Sequence, residues 1–346
     1  MKLSVLIPLY NDENYIGYCI DSLINQDLPK EDYEVIIMDD GSTDNSFSVA
    51  KSHIKSHSNF IIHSENNEGT TKAREKLLKL ARGIYTYFVD ADDYIAHNSL
   101  GLLIDIAINN DVDVLGFKLK ETYSLNEFEF NKENLDLDNL VVQSGFDFIK
   151  ENKYIRHENC WFFLKKSFLD EFDIHYNLKG AYVGDVLFTL KVFSNARKVV
   201  YCPVSVYRYV QTQDSAMRSK DPILVKRLIE AKFLMIIQKS EFINSLSENE
   251  FDGKSTIINN LTFRRDIFTF FTLIKMIKAR YRAKDVLEQV SALKEVTAYP
   301  INNFIEDGYN TIVYKILNVI LNSRSALFVI VFTKNMFLNI FRFNKK

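Results

Sequence analysis

An α/β fold is predicted, with a mostly parallel sheet flanked by helices and a helical region following it. Three observations predict it. Over the first 120 residues, short apolar runs alternate with stretches whose apolar residues recur at helical spacing. Acidic clusters follow two of those runs, where an open α/β sheet gathers its polar chemistry. From Pro222 onwards the pattern is helical almost throughout.

Leu3 to Ile7 is a continuous apolar run, as expected of a strand buried on both faces, and it stops at Pro8. Tyr15, Ile16, Cys19, Ile20, Leu23 and Ile24 then fall on one face of a helix. Glu34 to Met38 is a second strand, running into Asp39-Asp40-Gly41-Ser42-Thr43-Asp44, and Phe60 to Ile62 a third. Ala73 to Ala81 is helical and stops at Arg82-Gly83. Tyr85 to Val89 is a fourth strand that opens into Asp90-Ala91-Asp92-Asp93. A helix from Leu100 to Ile108 precedes a fifth strand, Val112 to Leu119. Strands joined by helices imply right-handed crossovers and parallel pairing. Residues 121–160 read as a polar insertion with one helix near Gly145 to Asn152. Strand patterns return at Trp161 to Leu164 and Val199 to Val210, with Val186 to Ala196 helical between them. The division is expected near residue 218, giving an α/β domain over 1–218 and a helical region over 219–346.

Composition narrows the function classes. The 346 residues carry 43 basic and 45 acidic side chains, and 47% are hydrophobic. Disorder is excluded, and so is a dedicated nucleic-acid binder, which needs a basic excess. Eleven glycines and five prolines against 27 phenylalanines and 18 tyrosines exclude collagen-like and linker-rich chains. Cys19, Cys160 and Cys202 are too scattered for a disulfide framework or a zinc site, so a reducing cytosol is expected. The N-terminal apolar run is too short for a signal peptide. The longest later run, Ala326 to Phe332, is far short of a bilayer span and closes at Thr333-Lys334.

The acidic clusters suggest the chemistry. Two carboxylates at Asp-x-Asp spacing can point towards one ligand. Hard cations such as Mg²⁺ or Mn²⁺ take oxygen ligands and complete their shell with substrate phosphates. An acidic pair is therefore an anchor for a metal diphosphate, although Asp-rich turns after strands are also ordinary turn formers. In Asp39 to Asp44, the later residues read as a turn and helix cap, with Ser42 or Asp44 satisfying free amides. Asp39, at the strand end, is the ligand candidate.

Four blocks in order carry a family resemblance. They are Val5-Leu6-Ile7-Pro8-Leu9-Tyr10-Asn11-Asp12-Glu13 with Tyr15-Ile16, then Glu34 to Asp44, then Glu65-Asn66-Asn67-Glu68-Gly69 with Ala73-Arg74, and finally Tyr87-Phe88-Val89-Asp90-Ala91-Asp92-Asp93. Residues 1–120 resemble family 2 glycosyltransferases, the bacterial surface-polysaccharide type, whose GT-A fold is Rossmann-like. The likeness extends more loosely to residue 218 through Cys160 to Leu169, Gly184-Asp185-Val186-Leu187-Phe188, and Tyr207-Arg208-Tyr209 to Ser215. Gly184 departs from the Glu that usually precedes that Asp.

The resemblance implies sugar transfer from a UDP-sugar to a hydroxyl of a glycan or lipid-linked glycan, inverting and non-processive, of the hexosyl or N-acetylhexosaminyl class. Asp92 would be the ligand of Mn²⁺ or Mg²⁺, with Asp90 near the ribose or donor sugar and Asp93 a helix cap or sugar contact. Asp39 would accept a hydrogen bond from the uracil. Pro8, Tyr10 and Glu13 would line the nucleoside pocket, and Arg74 would contact phosphate or hold the acidic turn. Asp185 would be the general base, its ordinary alternative being a helix N-cap. The loop after the last strand offers Arg208, Gln211, Ser215 and Arg218 to the phosphates, but no His. Trp161, the only tryptophan, follows Cys160 and not Arg, so the Gln-x-x-Arg-Trp signature of processive synthases is absent; the residue reads as core or a sugar platform.

Two other readings are weighed. A nucleotidyltransferase would need a Gly-rich basic loop, yet residues 8–20 hold only Gly17 and no Lys or Arg. A non-catalytic sugar-nucleotide or membrane-binding subunit stays open because of Gly184. After Asp307 there is no acidic residue, and Lys315, Arg324, Lys334, Arg342, Lys345 and Lys346 stand among phenylalanines. Residues 309–346 therefore read either as an anchor on the cytoplasmic face of a membrane or as a helix packed on the core or on a homodimer partner.

Overall fold

A computed structural model describes residues 1–133, 135–137, 139–176, 184–211, 221–248, 250–302 and 311–343, the last ten through their backbone. The chain forms two compact units, Met1–Phe148 with Arg156–Ser215, and Ile149–Ile155 with Ala216–Lys346. Residues 149–155 thus belong with the helical unit, which the polar insertion pattern did not reveal.

In the first unit the strands are β1 (Leu3–Leu9), β2 (Tyr33–Asp39), β3 (Phe60–Ser64), β4 (Tyr85–Phe88), β5 (Tyr94–Ile95), β6 (Val114–Thr122), β7 (Val142–Gln143), β8 (Phe162–Lys165) and β9 (Val199–Val210). Their order is β3-β2-β1-β4-β8-β6-β9-β5, with β7 on β9. The four parallel ladders, β1·β2, β1·β4, β2·β3 and β6·β9, are the long ones. β8 runs antiparallel between β4 and β6, and short β5 and β7 pair antiparallel with β9. Helices α1 (Ile16–Ile24), α2 (Ser46–Ile54), α3 (Thr70–Leu80), α4 (Leu100–Asn109), α5 (Gly145–Glu151), α6 (Lys166–Glu171) and α7 (Gly184–Asn195) complete this unit, apart from the end of α5.

β1 and β2 are buried at every position, which their continuous apolar runs require. Pro8 is tolerated because pairing with β4 ends at Leu6, so β1 is flanked only by β2 there. Glu34 is the polar exception in β2. Burial raises its pKa, but hydrogen bonds from Arg82 and Ser4 outweigh that and hold it below the usual carboxylate range. Tyr87, Phe117 and Phe163 pack ring on ring through the middle of the sheet, with centroids 4.8 to 5.5 Å apart. Trp161 belongs to this core and is no sugar platform: it is 4% exposed and stacks on Phe193 at 5.4 Å.

The second unit holds α8 (Pro222–Ser247), α9 (Lys254–Lys278), α10 (Ala283–Glu295), α11 (Ile312–Asn322) and α12 (Arg324–Phe343). α8 starts where Asp221 accepts a hydrogen bond from Ile223 N at 3.1 Å and Pro222 occupies the first turn. Phe233, Ile236, Phe270, Leu273, Met276 and Leu293 form its core. Asn260 Nδ2 donates to the carbonyls of Ile149 and Lys150, tying the 149–155 segment to α9.

Candidate active site

The carboxyl ends of β1, β2 and β4 each release a polar loop, and hydrogen bonds stitch the first two together. Asn11 adopts a left-handed conformation (φ 56°), and its Oδ1 accepts from Thr43 N at 2.8 Å while its own N–H donates to Ser42 Oγ. Asp12 N donates to Ser46 Oγ at 2.8 Å. Asp44 accepts from Ser46 N at 2.9 Å, so it satisfies a free amide of α2 as expected. Glu13 lies in the same stitching. Its Oε2 accepts from both Asn45 N and Asn45 Nδ2, at 2.9 and 2.8 Å, so its carboxylate is engaged by the start of α2.

Asp39 ends β2, buried, and accepts from Ser42 N at 3.3 Å and Ser64 Oγ at 2.9 Å. Pro8 is buried within β1 and Tyr10 beside it is exposed. Asp40, which drew no attention in the sequence, has a defined structural task. Its two oxygens accept from Glu68 N and Gly69 N at 2.7 and 2.8 Å, pinning the segment that leads into α3.

The acidic turn after β4 is built by β9. Tyr207 OH donates to Asp93 Oδ2 at 2.5 Å and accepts from Asp90 N at 3.2 Å, and Asp93 Oδ1 accepts from Val210 N. Asp93 is therefore neither a helix cap nor a sugar contact. It is buried, burial raises its pKa, and α4 begins only after Ser99. Asp90 and Asp92 remain at the surface of the turn, each half-buried.

Arg74, on α3, joins the parts. One of its amine nitrogens donates to Asp90 Oδ1 at 2.6 Å and the other to Asp185 Oδ1 at 2.5 Å. The acidic turn and the start of α7 are thereby brought to one buried guanidinium. Asp185 also accepts from Asn159 Nδ2 at 3.2 Å, and Asn159 is fixed in turn by Thr189 Oγ1 and Tyr176. Burial raises the Asp185 pKa against the pull of Arg74. Asp185 is engaged by Arg74 and Asn159 while standing in the first turn of α7. Gly184 has a packing reason: a Cβ there would lie 3.0 Å from the Thr71 side chain, so the start of α7 sits directly on α3.

Asp12 is the acid that sequence reading passed over. Burial pushes its carboxyl up to about 7, reinforced by the charge of Asp92 and then of Asp90. Asp92 is pushed up to about 6 by burial and by Asp90. Only the position of Asp12 directly after the Pro8-Leu9-Tyr10-Asn11 strand end hinted at this; its partners lie 80 residues on in the chain. Among the described residues no three His, Cys, Asp or Glu side chains form a metal cage. Carboxylates crowded into a common negative field still fit a divalent cation, provided that a diphosphate supplies the rest of its shell.

Ser215 and Arg218 lie outside the described residues. Arg208 does not face a phosphate. It is buried, and its guanidinium donates to the carbonyls of Glu127, Ser205 and Glu129.

Residues 4–172 match the model of Glycosyl transferase family 2. That segment, just under half of the chain, is similar to family 2 glycosyltransferases. A poly(ribitol-phosphate) beta-glucosyltransferase of Bacillus spizizenii is 32% identical over 62% of this chain and 33% of its own length. The poly(ribitol-phosphate) beta-N-acetylglucosaminyltransferase TarS of Staphylococcus aureus is 26% identical over 69% of this chain and 40% of its own length. The chain thus spans well under half the length of these two curated relatives. In fold, residues 1–349 of S. aureus TarS, crystallised with UDP-GlcNAc, cover 97% of this chain with a TM-score of 0.67 at 21% identity. A mannosyltransferase from Pyrobaculum calidifontis, solved with GDP-Man and Mn²⁺, reaches 0.52 at 13% identity. These likenesses establish a GT-A-type fold.

Proposed function

We propose that this chain transfers a hexosyl or N-acetylhexosaminyl group from a UDP-sugar to a hydroxyl of a glycan or lipid-linked glycan, with inversion at the anomeric carbon. The observation that carries the reading is Arg74, which gathers Asp90 of the acidic turn and Asp185 of α7 onto one guanidinium. On this reading a donor-side acid and an acceptor-side acid share one guanidinium. TarS solved with UDP-GlcNAc supports the donor class, and the poly(ribitol-phosphate) relatives support a polymeric acceptor.

Asp185 is the general base. It takes the acceptor's hydroxyl proton as the oxygen bonds to the anomeric carbon, while the bond to the diphosphate breaks and its electron pair leaves with the diphosphate oxygen. One base suffices for such a displacement. Burial of Asp185 strengthens it as a proton acceptor, and Arg74 with Asn159 orients it. Asp92, with Asp90 and Asp12 close by, would hold Mn²⁺ or Mg²⁺, which supplies charge neutralisation to the departing diphosphate when bound. Asp39 holds the uracil end of the donor, and Pro8 and Tyr10 border it.

The test measures thermal shifts with UDP, with and without Mn²⁺, together with transfer from UDP-sugars. Asp92→Asn is expected to lose the Mn²⁺-dependent shift, because a ligand that binds the native state raises Tm by mass action. Asp185→Asn should keep that shift and lose turnover by about 10²-fold or more. Unchanged turnover in Asp185→Asn removes the base assignment. No nucleotide shift in the wild-type protein removes the donor assignment.

A further inference from the structure

The helical unit carries two amphipathic helices whose apolar faces point outwards. On α11, Ile312, Val313, Ile316 and Val319 are between 55% and 75% exposed, while Asn318 and Leu321 on the opposite side are buried. On α12, Phe328, Val329 and Phe332 are exposed while Leu327 and Val331 are buried. The spacing of three and four residues places each exposed set on one stripe. The two helices meet at a 102° bend, and among the described residues no single helix is long and apolar enough to cross a membrane.

Charge distinguishes what covers these stripes. Residues 308–346 contain Lys315, Arg324, Lys334, Arg342, Lys345 and Lys346 and no Asp or Glu. In a two-fold contact between copies the same basic segment meets itself, with no acidic residue of its own to pair its charge. A surface rich in anionic lipid meets both requirements at once, by admitting the apolar stripe and attracting a segment whose charged residues are all basic. We propose that α11 and α12 form an interfacial anchor that lies on an anionic bilayer, with Ile312, Ile316, Val319 and Phe332 inserted at the headgroup boundary. The anchor is independent of the donor chemistry, so its failure leaves the transfer reading intact.

Sedimentation of the full chain with vesicles of phosphatidylcholine containing phosphatidylglycerol, against phosphatidylcholine alone, tests it. The wild-type protein should sediment with the anionic vesicles, less so at high salt and hardly at all with the neutral ones. The pair Ile316→Asp and Val319→Asp should lower the partition by about tenfold or more. Both positions are exposed, so an unchanged Tm and circular dichroism spectrum would show that the variant folds. Absence of binding by the folded wild type overturns the anchor, and so does equal binding by the variant. A solution dimer dispersed by the same substitutions, with no vesicle binding, assigns the face to a second copy instead.

Discussion

Arg74 shows how much of a site can depend on one side chain. Among the described residues, its guanidinium is the only group that donates to both Asp90 and Asp185, and a lysine's single ammonium cannot reproduce that two-sided geometry. Arg74→Ala leaves two carboxylates facing each other. A fully buried broken pair costs about 3–5 kcal/mol, but these carboxylates are 31% and 28% exposed, so about 2 kcal/mol is expected. Urea denaturation at neutral pH measures this, and a loss below about 0.5 kcal/mol would mean that solvent already compensates both acids. Arg74→Lys should recover part of the stability and little of the turnover, because position as well as charge is lost.

At the scale of elements, the turn after β2 decides where the loop before α3 lies. Gly41 has φ 71°, and a Cβ on it would stand 2.7 Å from Asn67 N. Gly41→Ala therefore meets both backbone strain and a backbone clash. Its expected cost is about 2 kcal/mol or more, read as a lowered denaturation midpoint. Asp40→Asn is milder, because it keeps one acceptor oxygen for the two amides of Glu68 and Gly69. It should fall between wild type and Gly41→Ala; the reverse order would show that the loop is held by other contacts. The strand and helix patterns located these elements but not their pairing. β8 is a continuous apolar run like the parallel strands, and a run buried on both faces reads the same in either direction. β5 is two residues long, too short for any period to register.

For the whole molecule, a net charge of −2 conceals an acidic concentration at one end of the sheet. In the folded state Asp12 and Asp92 hold their protons up to about 7 and about 6, well above the ordinary aspartate value of about 4. The unfolded chain releases those protons near pH 4, so the folded state is favoured at low pH and this contribution is lost as pH rises through about 6 to 7. Asp12→Asn removes one such group. Its Tm should exceed that of the wild type at pH 8, and the difference should vanish towards pH 4. A pH-independent difference would show that packing, not ionisation, separates the two proteins. A divalent cation should likewise raise the wild-type Tm more at pH 8 than at pH 5, where the carboxylates hold their protons.

The sequence by itself determined the alternation of β1 to β4 with their helices, the acidic turns at the strand ends, the helical character after Pro222, and the resemblance to family 2. These are local: a buried strand must be an apolar run, and a tight polar turn must be written in neighbouring residues. Only the tertiary structure decided the use of each acid. Asp93 and Asp90 are neighbours in an acidic turn, yet Tyr207 from β9 takes one into the core and Arg74 from α3 holds the other half-buried beside Asp185. Asp12 acquires its unusual affinity for a proton from burial first, reinforced by the charges of Asp92 and Asp90, 80 and 78 positions away in the chain. Burial and electrostatic fields are set by what packs around a group, and those neighbours are distant in the chain.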